Sequence, residues 1–479
     1  MSSIDTTAID MSSATTMSRQ LHRVFTVGDY RMTSAIDLRA DSVISEELAC
    51  AIEEEARTDP QGAWWKAVLA GAAPFATTGS ERNGDDLGPV RVVDLFCGVG
   101  GLTAGTMLAA AEMGHQVRCE LAVDADGDAL AVFARNHDAR RTVDESVQGL
   151  VDYRVRGEGL DAAFVYAPEL LDSDLAQCCA DVDLVVAGPP CQGHSNLNNH
   201  TRRNDRRNHL YLGAVAFALA SRARAVLIEN VVSVLHDKDH IVDSARALFE
   251  AHGYLVTDGV LAAHDLGWPQ TRRRHFLVAQ LPVNGRRLVP LPDVAEALHE
   301  STCRSVMWAI GGEQCLSHDP SLHQPTELTQ KNRDRIGWLF KNDEHDLSLE
   351  ERPDCHRNGT TYASTYGRMR ADQPAPTITT GYTTPGRGRF VHPLEPRTLT
   401  HAEAARLQGF PDTYRFEPTP GHPATRTQLS KWIGNAVPIP LGYAAALSAL
   451  LPYFGSPAGP SVPTKDHPRH PHVEKHQAL

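Results

Sequence analysis

The stretch that decides the fold reads VVDLFCGVGGLTAG and occupies residues 92–105. Its apolar start ends at Asp94, and Gly98, Gly100 and Gly101 follow before an alanine-rich segment. Glycines let the backbone pass close to a ligand, and the first turn of a helix directs free N–H groups towards it. The stretch therefore predicts a strand, a ligand-binding loop and a helix, a combination that any dinucleotide or nucleoside binder could carry.

Beyond this loop, short apolar β-branched runs alternate with alanine-rich helical patterns. This alternation is typical of βαβ units, so we predict an α/β fold with an open, doubly wound, mostly parallel sheet. The second strand ends at Asp124, where a carboxylate can accept hydrogen bonds from a ribose diol. The predicted strands cover residues 90–96, 119–123, 182–187, 225–228 and 275–280, and the predicted helices include residues 129–136, 213–222 and 242–252.

Changes of sequence texture divide the chain into five predicted parts. The first is acidic, because 14 acidic and 7 basic residues up to position 89 supply more than half of the net charge of -13. We interpret it as a solvated helical appendage or interaction arm, with its helical stretch at residues 44–70. The predicted parts are residues 1–88 (acidic N-terminal extension), 89–281 (α/β domain), 282–396 (a smaller irregular domain), 397–454 (a helical return to the α/β domain) and 455–479 (a disordered tail).

The composition excludes several classes of protein. With 46 Lys and Arg against 59 Asp and Glu, the chain is not a generally basic nucleic-acid binder, so any such contact must use local basic patches. Nine scattered cysteines predict reduced thiols in an intracellular protein. No secretory signal is visible and no apolar run is near the roughly 18 residues of a membrane helix, so we expect a cytoplasmic protein without membrane contact.

A cysteine in the setting of a nucleophile lies in AGPPCQGHS, residues 187–195. Cys191 follows Pro189 and Pro190 after an apolar strand, where a stiff turn would hold it at the ligand-binding edge of the sheet. A lone cysteine is usually a small buried hydrophobe, but this position favours a reactive thiolate. Glu229, at the end of the predicted neighbouring strand, would place an acid beside it.

A further polar group lies in DLGWPQTRRRH, residues 265–275. Gln270, Arg272 and Arg274 follow the period of two that places side chains on one face of a strand. We therefore expect them to converge on a polar site instead of forming a solvated charge run.

Together these motifs resemble those of the cytosine-C5 DNA methyltransferases, whose fold is a Rossmann-like class I methyltransferase domain with a smaller target-recognition domain. The resemblance extends over residues 90–454, and the motifs appear in the family order. They are DLFCGVGG, Asp124 with Asp126, PPCQG, ENV, QTRRR, RTLTHAEAARLQGFP (residues 397–411) and GNAVP (residues 434–438).

The resemblance implies S-adenosylmethionine as the methyl donor and a cytosine flipped out of double-stranded DNA as the acceptor. It also implies a monomer, associated with the nucleoid in a bacterial restriction-modification or phage-defence setting. The implied catalytic residues are Cys191 (attack on cytosine C6), Glu229 (contact with N3), Arg272 and Arg274 (bracing the base and phosphate) and Gln270 (ordering the loop). The implied cofactor contacts are Phe96, Gly98, Gly100, Gly101, Asp124, Glu145 (for adenine), Pro189, Leu210 and Asn435. The implied DNA contacts are Arg202, Arg203, Arg206 and Arg207 after the Cys191 motif, with Arg368 and Arg370 in the recognition domain.

Four alternatives stand beside this interpretation. A tRNA cytosine-C5 methyltransferase uses the same catalytic residues, although its usual Cys-Phe-Thr signature is absent. An inactive regulator is disfavoured because Cys191 and Glu229 are both present, and a nicotinamide oxidoreductase would explain only the glycine loop. A zinc site is disfavoured, and no metal is expected, because paired Cys-x2-Cys knuckles are absent around Cys303, Cys315, His318, His323, Cys355 and His356.

Overall fold

A seven-stranded sheet forms the centre of the computed structural model, which describes residues 19–38, 44–76, 88–190, 209–311, 319–354 and 364–458. In chain order the strands are β1 (Gln20–Val27), β2 (Tyr30–Asp37), β3 (Phe75–Ala76), β4 (Val90–Leu95), β5 (Val117–Asp124), β6 (Thr142–Asp144), β7 (Val151–Asp152), β8 (Val155–Arg156), β9 (Ala163–Phe164), β10 (Glu169–Leu170), β11 (Leu184–Ala187), β12 (Ala225–Asn230), β13 (Leu255–Ala262) and β14 (Arg273–Gln280). The helices are α1 (Glu46–Ala56), α2 (Pro60–Leu69), α3 (Gly101–Glu112), α4 (Gly127–His137), α5 (Ser173–Cys178), α6 (His209–Ala220), α7 (Ile241–Glu250), α8 (Leu291–Ala297), α9 (Val306–Ile310), α10 (Gln330–Lys341), α11 (His401–Leu407), α12 (Arg426–Asn435) and α13 (Ile439–Phe454).

The central sheet has the order β13-β14-β12-β11-β4-β5-β6, and of its seven strands only β14 runs against the others. Apolar residues fill β11 and most of β12, and both strands are buried along their whole length. Strands of this kind need helices on both faces of the sheet. The predicted doubly wound, mostly parallel sheet is confirmed, including the pairing of β11 with β12.

Two strands of this sheet, β6 and β13, have no counterpart in the sequence prediction. The middle of β13 carries Thr257, Asp258 and Gly259, which interrupt any apolar alternation. The position of β13 is fixed by its full-length pairing with β14, a tertiary contact that no local pattern contains.

One face of the sheet is covered by α3 and α13, and the other by α6 and α7. Gly105 of α3 has no room for a side chain, because a Cβ would lie 2.5 Å from the backbone nitrogen of Tyr443 in α13. The helical stretch Arg426–Phe454 is long and apolar enough to cross a membrane, but 94% of its apolar window is buried in the protein. The prediction that no apolar run approaches this length is wrong, and the stretch is a core element.

The N-terminal module, residues 19–38 and 44–76, is an integral part of the fold. The predicted helical stretch is confirmed as α1 and α2, but the antiparallel sheet of β1, β2 and β3 is not predicted. Arg23 of β1 is buried and donates to Glu112 Oε1 at 3.0 Å and to the Tyr443 hydroxyl at 2.9 Å. The interpretation as a solvated appendage is therefore wrong, because the module shares one apolar core with α3 and α13.

The predicted irregular domain, residues 282–396, contains α8, α9 and α10 among turns and isolated bridges. The sequence pattern does not predict these helices, since proline, glycine and polar residues interrupt the apolar periodicity. Apolar residues of this region share a core cluster with α11 and α12. The chain after residue 396 therefore packs directly against residues 282–396, which we call the recognition region after the role that the family resemblance predicts for it.

Candidate active site

Three strand ends meet at the carboxyl edge of the sheet, where ligands bind in folds of this kind. The register pairs Ala187 of β11 with the last residue of β4 and with Ile228 of β12. Gly188 follows, and a Cβ on it would lie 3.9 Å from both the Phe96 carbonyl oxygen and Glu229 Oε2. The glycine loop, the Pro-Pro turn and Glu229 are therefore neighbours, as predicted from the order of the strands.

The Pro-Pro turn leads out of the described structure. Pro189 is buried and Pro190 half-buried directly after Gly188. The predicted nucleophile and four of the predicted DNA contacts fall in residues 191–208, outside the described residues: Cys191, Arg202, Arg203, Arg206 and Arg207. Their roles stay predictions.

Glu229 is a buried carboxylate at the end of β12, with 8% of its surface exposed. Its Oε1 accepts a hydrogen bond from Arg274 Nε at 2.8 Å, across the antiparallel pairing of β12 with β14. Burial raises the pKa of Glu229 above the usual value for a glutamate, and the positive charges of Arg274 and Arg272 oppose that rise. A carboxyl group of this kind keeps its proton to higher pH than an exposed one, which suits an acid catalyst.

The segment of residues 267–274, which we call the strap, carries the predicted polar motif. Gln270 and Arg272 are buried while Thr271 and Arg273 are exposed, so the predicted alternation of faces is confirmed. Gln270 Nε2 donates to the Leu407 carbonyl oxygen at 2.6 Å. Gln270 therefore orders the strap against α11.

Arg272 and Arg274 share one face of the strap but have different partners. Arg272 Nη1 donates to the carbonyl oxygens of Ile378 at 2.6 Å and Gly434 at 3.2 Å. Arg274 forms the ion pair with Glu229, and the charge of Arg272 also acts on that carboxylate. Arg272 therefore joins the strap to the recognition region and to α12, and the expected convergence of these residues on one polar site is only partly met.

A buried polar group behind Glu229 escaped the motif analysis. His275 is fully buried, and its Nε2 lies 2.8 Å from Asp258 Oδ2, while the other Asp258 oxygen pairs with Arg246. The Tyr211 hydroxyl is buried without a hydrogen-bond partner among the described residues, and burial raises its pKa, with the charges of Asp258 and Glu229 adding to the rise. The motif analysis missed this group because Asp258 lies on β13, a strand that the sequence does not predict.

The glycine loop after β4 has a strained backbone. Phe96 has φ +60°, a conformation that costs a non-glycine residue about 1–2 kcal/mol and clusters at ligand sites. Around Gly98, with φ +50°, the described residues place no atom within 4 Å of the position that a Cβ would take, apart from Gly98 itself and its two chain neighbours. A Cβ on Gly100 or Gly101 would instead collide with protein atoms. Gly98 therefore borders open space, whereas close packing accounts for Gly101, and close packing together with a φ of +87° accounts for Gly100.

Asp124 closes this loop from the end of β5. Its two oxygens accept hydrogen bonds from the backbone nitrogens of Gly98 and Asp126, each at 2.8 Å. Burial raises the pKa of Asp124, and these two N–H groups oppose the rise. Asp126 instead caps α4 and binds Lys431 Nζ at 2.6 Å. Asp124 thus binds the backbone of the glycine loop, whereas Asp126 links α4 to α12.

The other predicted cofactor contacts lie on three different elements. Glu145 is exposed directly after β6. Its neighbour Asp144 ends β6 and pairs in register with Asp124 at the end of β5. The motif analysis missed this second acid at the same edge of the sheet. Leu210 lies half-buried in the first turn of α6, and Asn435 is the exposed last residue of α12.

The two predicted DNA contacts of the recognition region differ in environment. The Arg368 side chain is 12% exposed and forms an ion pair with Asp343 at 3.1 Å. Its guanidinium also lies 4.2 Å from the Phe340 ring centroid and donates to the Pro393 carbonyl oxygen at 2.8 Å. These contacts give Arg368 a structural role within the region. Arg370 is exposed and accessible to a ligand.

No group of three or more His, Cys, Asp or Glu side chains is placed to hold a metal ion among the residues that the structure describes. Cys303 is an exposed free thiol. Four of the residues considered for zinc lie outside the described ranges: Cys315, His318, Cys355 and His356.

The strand order, the single reversed strand and the loops at the carboxyl edge define a Rossmann-like class I methyltransferase fold. The solved structure of the Dnmt2 methyltransferase of S. pombe shares this fold. It is 18% identical, with a TM-score of 0.50, and the match covers 76% of this chain and 98% of that one.

Residues 90–449 match the family described as C-5 cytosine-specific DNA methylase. The chain belongs to this family and is a DNA cytosine-5-methyltransferase. It is 37% identical over 363 residues to the type II methyltransferase M1.BsuMI of Bacillus subtilis (strain 168), a match that covers 75% of this chain and 80% of that protein. It is 31% identical over 371 residues to the type II methylase M.HgiDII of Herpetosiphon aurantiacus, covering 74% and 94%.

Proposed function

We propose that the enzyme transfers a methyl group from S-adenosylmethionine to C5 of a flipped-out cytosine in double-stranded DNA, with Cys191 as the covalent nucleophile. The observation that carries the proposal is the buried Glu229–Arg274 pair, next to the strand end that leads to Cys191. An acid beside a nucleophile at the ligand-binding edge suits an attack on an unreactive ring.

Cys191 would activate the ring by adding its thiolate to C6. This addition moves a pair of ring electrons towards C5, which could then bond to the methyl group as the bond between that group and the donor's sulfonium sulfur breaks and leaves a neutral thioether. Loss of the C5 proton to a solvent base and cleavage of the bond between sulfur and C6 restore the ring and free the thiolate. Pro189 and Pro190 support this role, because their fixed backbone torsions limit the motion of the residue that follows.

Glu229 would donate a hydrogen bond or proton to N3 as negative charge develops in the ring. Its raised pKa supports this role, because a protonated carboxyl is the donor. Arg274 holds Oε1, whereas Oε2 lies on the side of Gly188, and Cys191 follows Gly188 by three positions in the sequence. The orientation of the acid is thus set by the arginine and not by the substrate alone.

The residues around Gly98 fit the proposed donor. S-adenosylmethionine supplies an electrophilic methyl group on its sulfonium sulfur. The open space at Gly98 would admit its amino-acid part, and the Asp124 carboxylate would accept from its ribose hydroxyls. Asp144, the last residue of β6, and Glu145, the next residue, are the two candidate acids that would accept from the adenine amino group.

The DNA would be bound by arginines around this edge. Flipping the target nucleotide costs a few kcal/mol, which contacts to the duplex must offset. Arg370 and the arginines of residues 202–207 would bind phosphates. Because the relatives M1.BsuMI and M.HgiDII are named type II enzymes, we place the protein in a restriction-modification or defence setting. We expect it to act there as a cytoplasmic monomer.

Label transfer tests the proposal. With tritiated S-adenosylmethionine, we expect duplex DNA and not tRNA to be labelled. Cys191→Ser should reduce transfer by about 10³-fold or more, while calorimetry shows nearly unchanged cofactor binding. Cys303→Ser, which removes an exposed thiol, is the control and should keep full activity. Labelling of tRNA alone would assign RNA as the substrate, and an active Cys191→Ser enzyme would exclude the covalent mechanism.

A further inference from the structure

The N-terminal module precedes the part of the chain that matches the family, yet it contacts the strap that carries Arg274. We propose that the ion pair of Asp59 in this module with Arg304 positions the strap for catalysis, so that both are positioning residues for methyl transfer. The proposal rests on the proposed function, because it concerns the placement of Arg274 against Glu229.

Asp59 binds Arg304 through both carboxylate oxygens. Arg304 Nε donates to Oδ2 at 2.7 Å, and Nη2 donates to Oδ1. Asp59 Oδ1 also accepts from the Gly62 nitrogen at 2.8 Å and so caps α2. The Arg304 side chain is 2% exposed, and a guanidinium buried to this extent requires an anionic partner. Burial would raise the pKa of Asp59, but the hydrogen bonds and charge of Arg304 lower it below its usual value.

The same guanidinium holds the first residue of the strap. Arg304 Nη1 donates to the Gly267 carbonyl oxygen at 2.8 Å. Gly267 has φ +73°, and a Cβ on it would collide with the guanidinium. Asp59 of the N-terminal module therefore reaches one end of the strap through the buried Arg304 side chain, which also lies 3.9 Å from Glu300 Oε2.

Trp268, the second residue of the strap, is held from two sides. Its ring makes edge contacts with Trp65 of α2, at 5.3 Å and 74°, and with Trp308 of α9, at 5.8 Å and 80°. Its Nε1 donates to the Leu407 carbonyl oxygen at 2.7 Å. Trp308 Nε1 in turn donates to Glu55 Oε1 of α1 at 2.6 Å. The aromatic contacts therefore add to the ion pair in joining the module, the strap and the recognition region.

The rest of the strap is bonded to the recognition region. The Thr271 nitrogen donates to the Ala375 carbonyl oxygen at 2.8 Å, and the Ala375 nitrogen donates to the Pro269 carbonyl oxygen at 2.9 Å. A displacement at Gly267 would therefore reach both the recognition region and the Arg274–Glu229 pair. Misplacement of a reacting group by about 1 Å can cost on the order of 10²-fold in rate.

Asp59→Asn separates the ion pair from the helix cap, because an asparagine at this position can still accept from Gly62. Glu54→Gln is the matched control, since it also removes one negative charge from the module, but from an exposed pair with Arg57. In the full chain with duplex DNA, we expect Asp59→Asn to lower kcat/KM for DNA by about tenfold or more. Its affinity for S-adenosylmethionine should stay within about twofold, and Glu54→Gln should match the parent enzyme.

Hydrogen exchange gives a second measurement that does not depend on activity. Asp59→Asn should accelerate exchange at the amides of the strap, such as Gly267 and Thr271, and leave α3 unchanged. Arg304→Lys, which keeps the charge but loses the forked contact, should show the same selective pattern. Unchanged strap amides, or a parallel loss of protection and cofactor affinity throughout the protein, would overturn the proposal. Selective exchange in an enzyme that never methylates DNA would refute the proposed function and leave the positioning intact.

Discussion

The glycine loop at residues 96–101 and the strap at residues 267–274 both carry family motifs, but their surroundings differ. Among the described residues, none outside the immediate chain neighbours comes within 4 Å of the position of a Cβ on Gly98, so the loop borders open space there. Gln270 and Arg272 of the strap are buried and donate to backbone carbonyl oxygens of other segments. A motif bordered by space is available to a ligand, whereas one surrounded by protein holds the enzyme together.

Along the strap, the partners of the side chains change from other segments of the protein to the predicted catalytic acid. Arg272 bonds to the recognition region and to α12, while Arg274, two residues later, reaches Glu229. The strap is thus bonded to other segments along most of its length and ends at Arg274, for which we propose a role in the chemistry. The loop is the proposed ligand site, and its last two glycines pack against protein. Substitutions can separate these roles.

The largest effect on activity is expected at Glu229, the proposed acid that binds Arg274 at the end of the strap. Glu229→Gln should lower kcat by about 10²–10³-fold with cofactor binding intact, because an amide cannot transfer a proton to N3 as a carboxylic acid can. In the parent enzyme, activity should fall as the pH rises through the raised pKa of Glu229, since only the protonated form donates. Profiles of kcat/KM against pH for both proteins would measure this, and an alkaline fall of the same size in the Gln variant would contradict the assignment.

The next effect concerns stability and is expected at Arg272. Arg272→Met leaves the buried carbonyl oxygens of Ile378 and Gly434 without this donor, so we expect the free energy of unfolding to fall by about 3 kcal/mol. Arg273→Met removes the exposed neighbouring charge and should change it by less than about 0.5 kcal/mol. Urea titrations compare the two. A normal stability with a raised KM for DNA would instead make Arg272 a direct DNA contact.

The catalytic fold could be predicted because its strands are apolar throughout and its motifs stand at their ends. β4, β11 and β12 were found for this reason, together with the adjacency of Glu229 to the Cys191 strand. β13 was missed because its own residues favour no strand and its pairing with β14 decides the structure. The N-terminal module was misjudged because net charge says nothing about pairing: Asp59, for example, is acidic and bound to a buried arginine.

At the site, the sequence predicted that polar side chains share a face, but not which partners they contact. The alternation of Gln270, Arg272 and Arg274 predicted a shared face, which a period of two determines locally. Which of them faces Glu229 depends on α11, α12 and the recognition region, which are distant in sequence. The same holds for Arg368, whose stacking on Phe340 no local pattern shows.

An effect on stability that depends on pH is expected at Asp94, which lies in β4 just before the glycine loop. Burial raises its pKa to about 8, and Thr103 Oγ1 lies 2.6 Å from its Oδ2. The folded protein therefore retains a proton that the unfolded chain releases above its own pKa, so stability falls as the pH rises towards 8. Relative to Asp94→Asn, the parent should lose up to about 1.4 kcal/mol per pH unit between pH 5 and 8. Unfolding free energies at several pH values measure this, and a constant difference would mean that Asp94 is ionised when folded.

The smallest effect separates strain from ligand contact at Gly98. Alanine there should cost about 1 kcal/mol of stability, because φ +50° is unfavourable for a residue with a Cβ. Gly253→Ala is the matched control, since Gly253 also has a positive φ, +83°, and open space around its Cβ position, in the turn after α7. Both variants should lose similar stability, but only Gly98→Ala should weaken S-adenosylmethionine binding, by about tenfold. Equal affinities in calorimetry would show that the open space at Gly98 is not the cofactor site, and the contrast between loop and strap would then be one of packing alone.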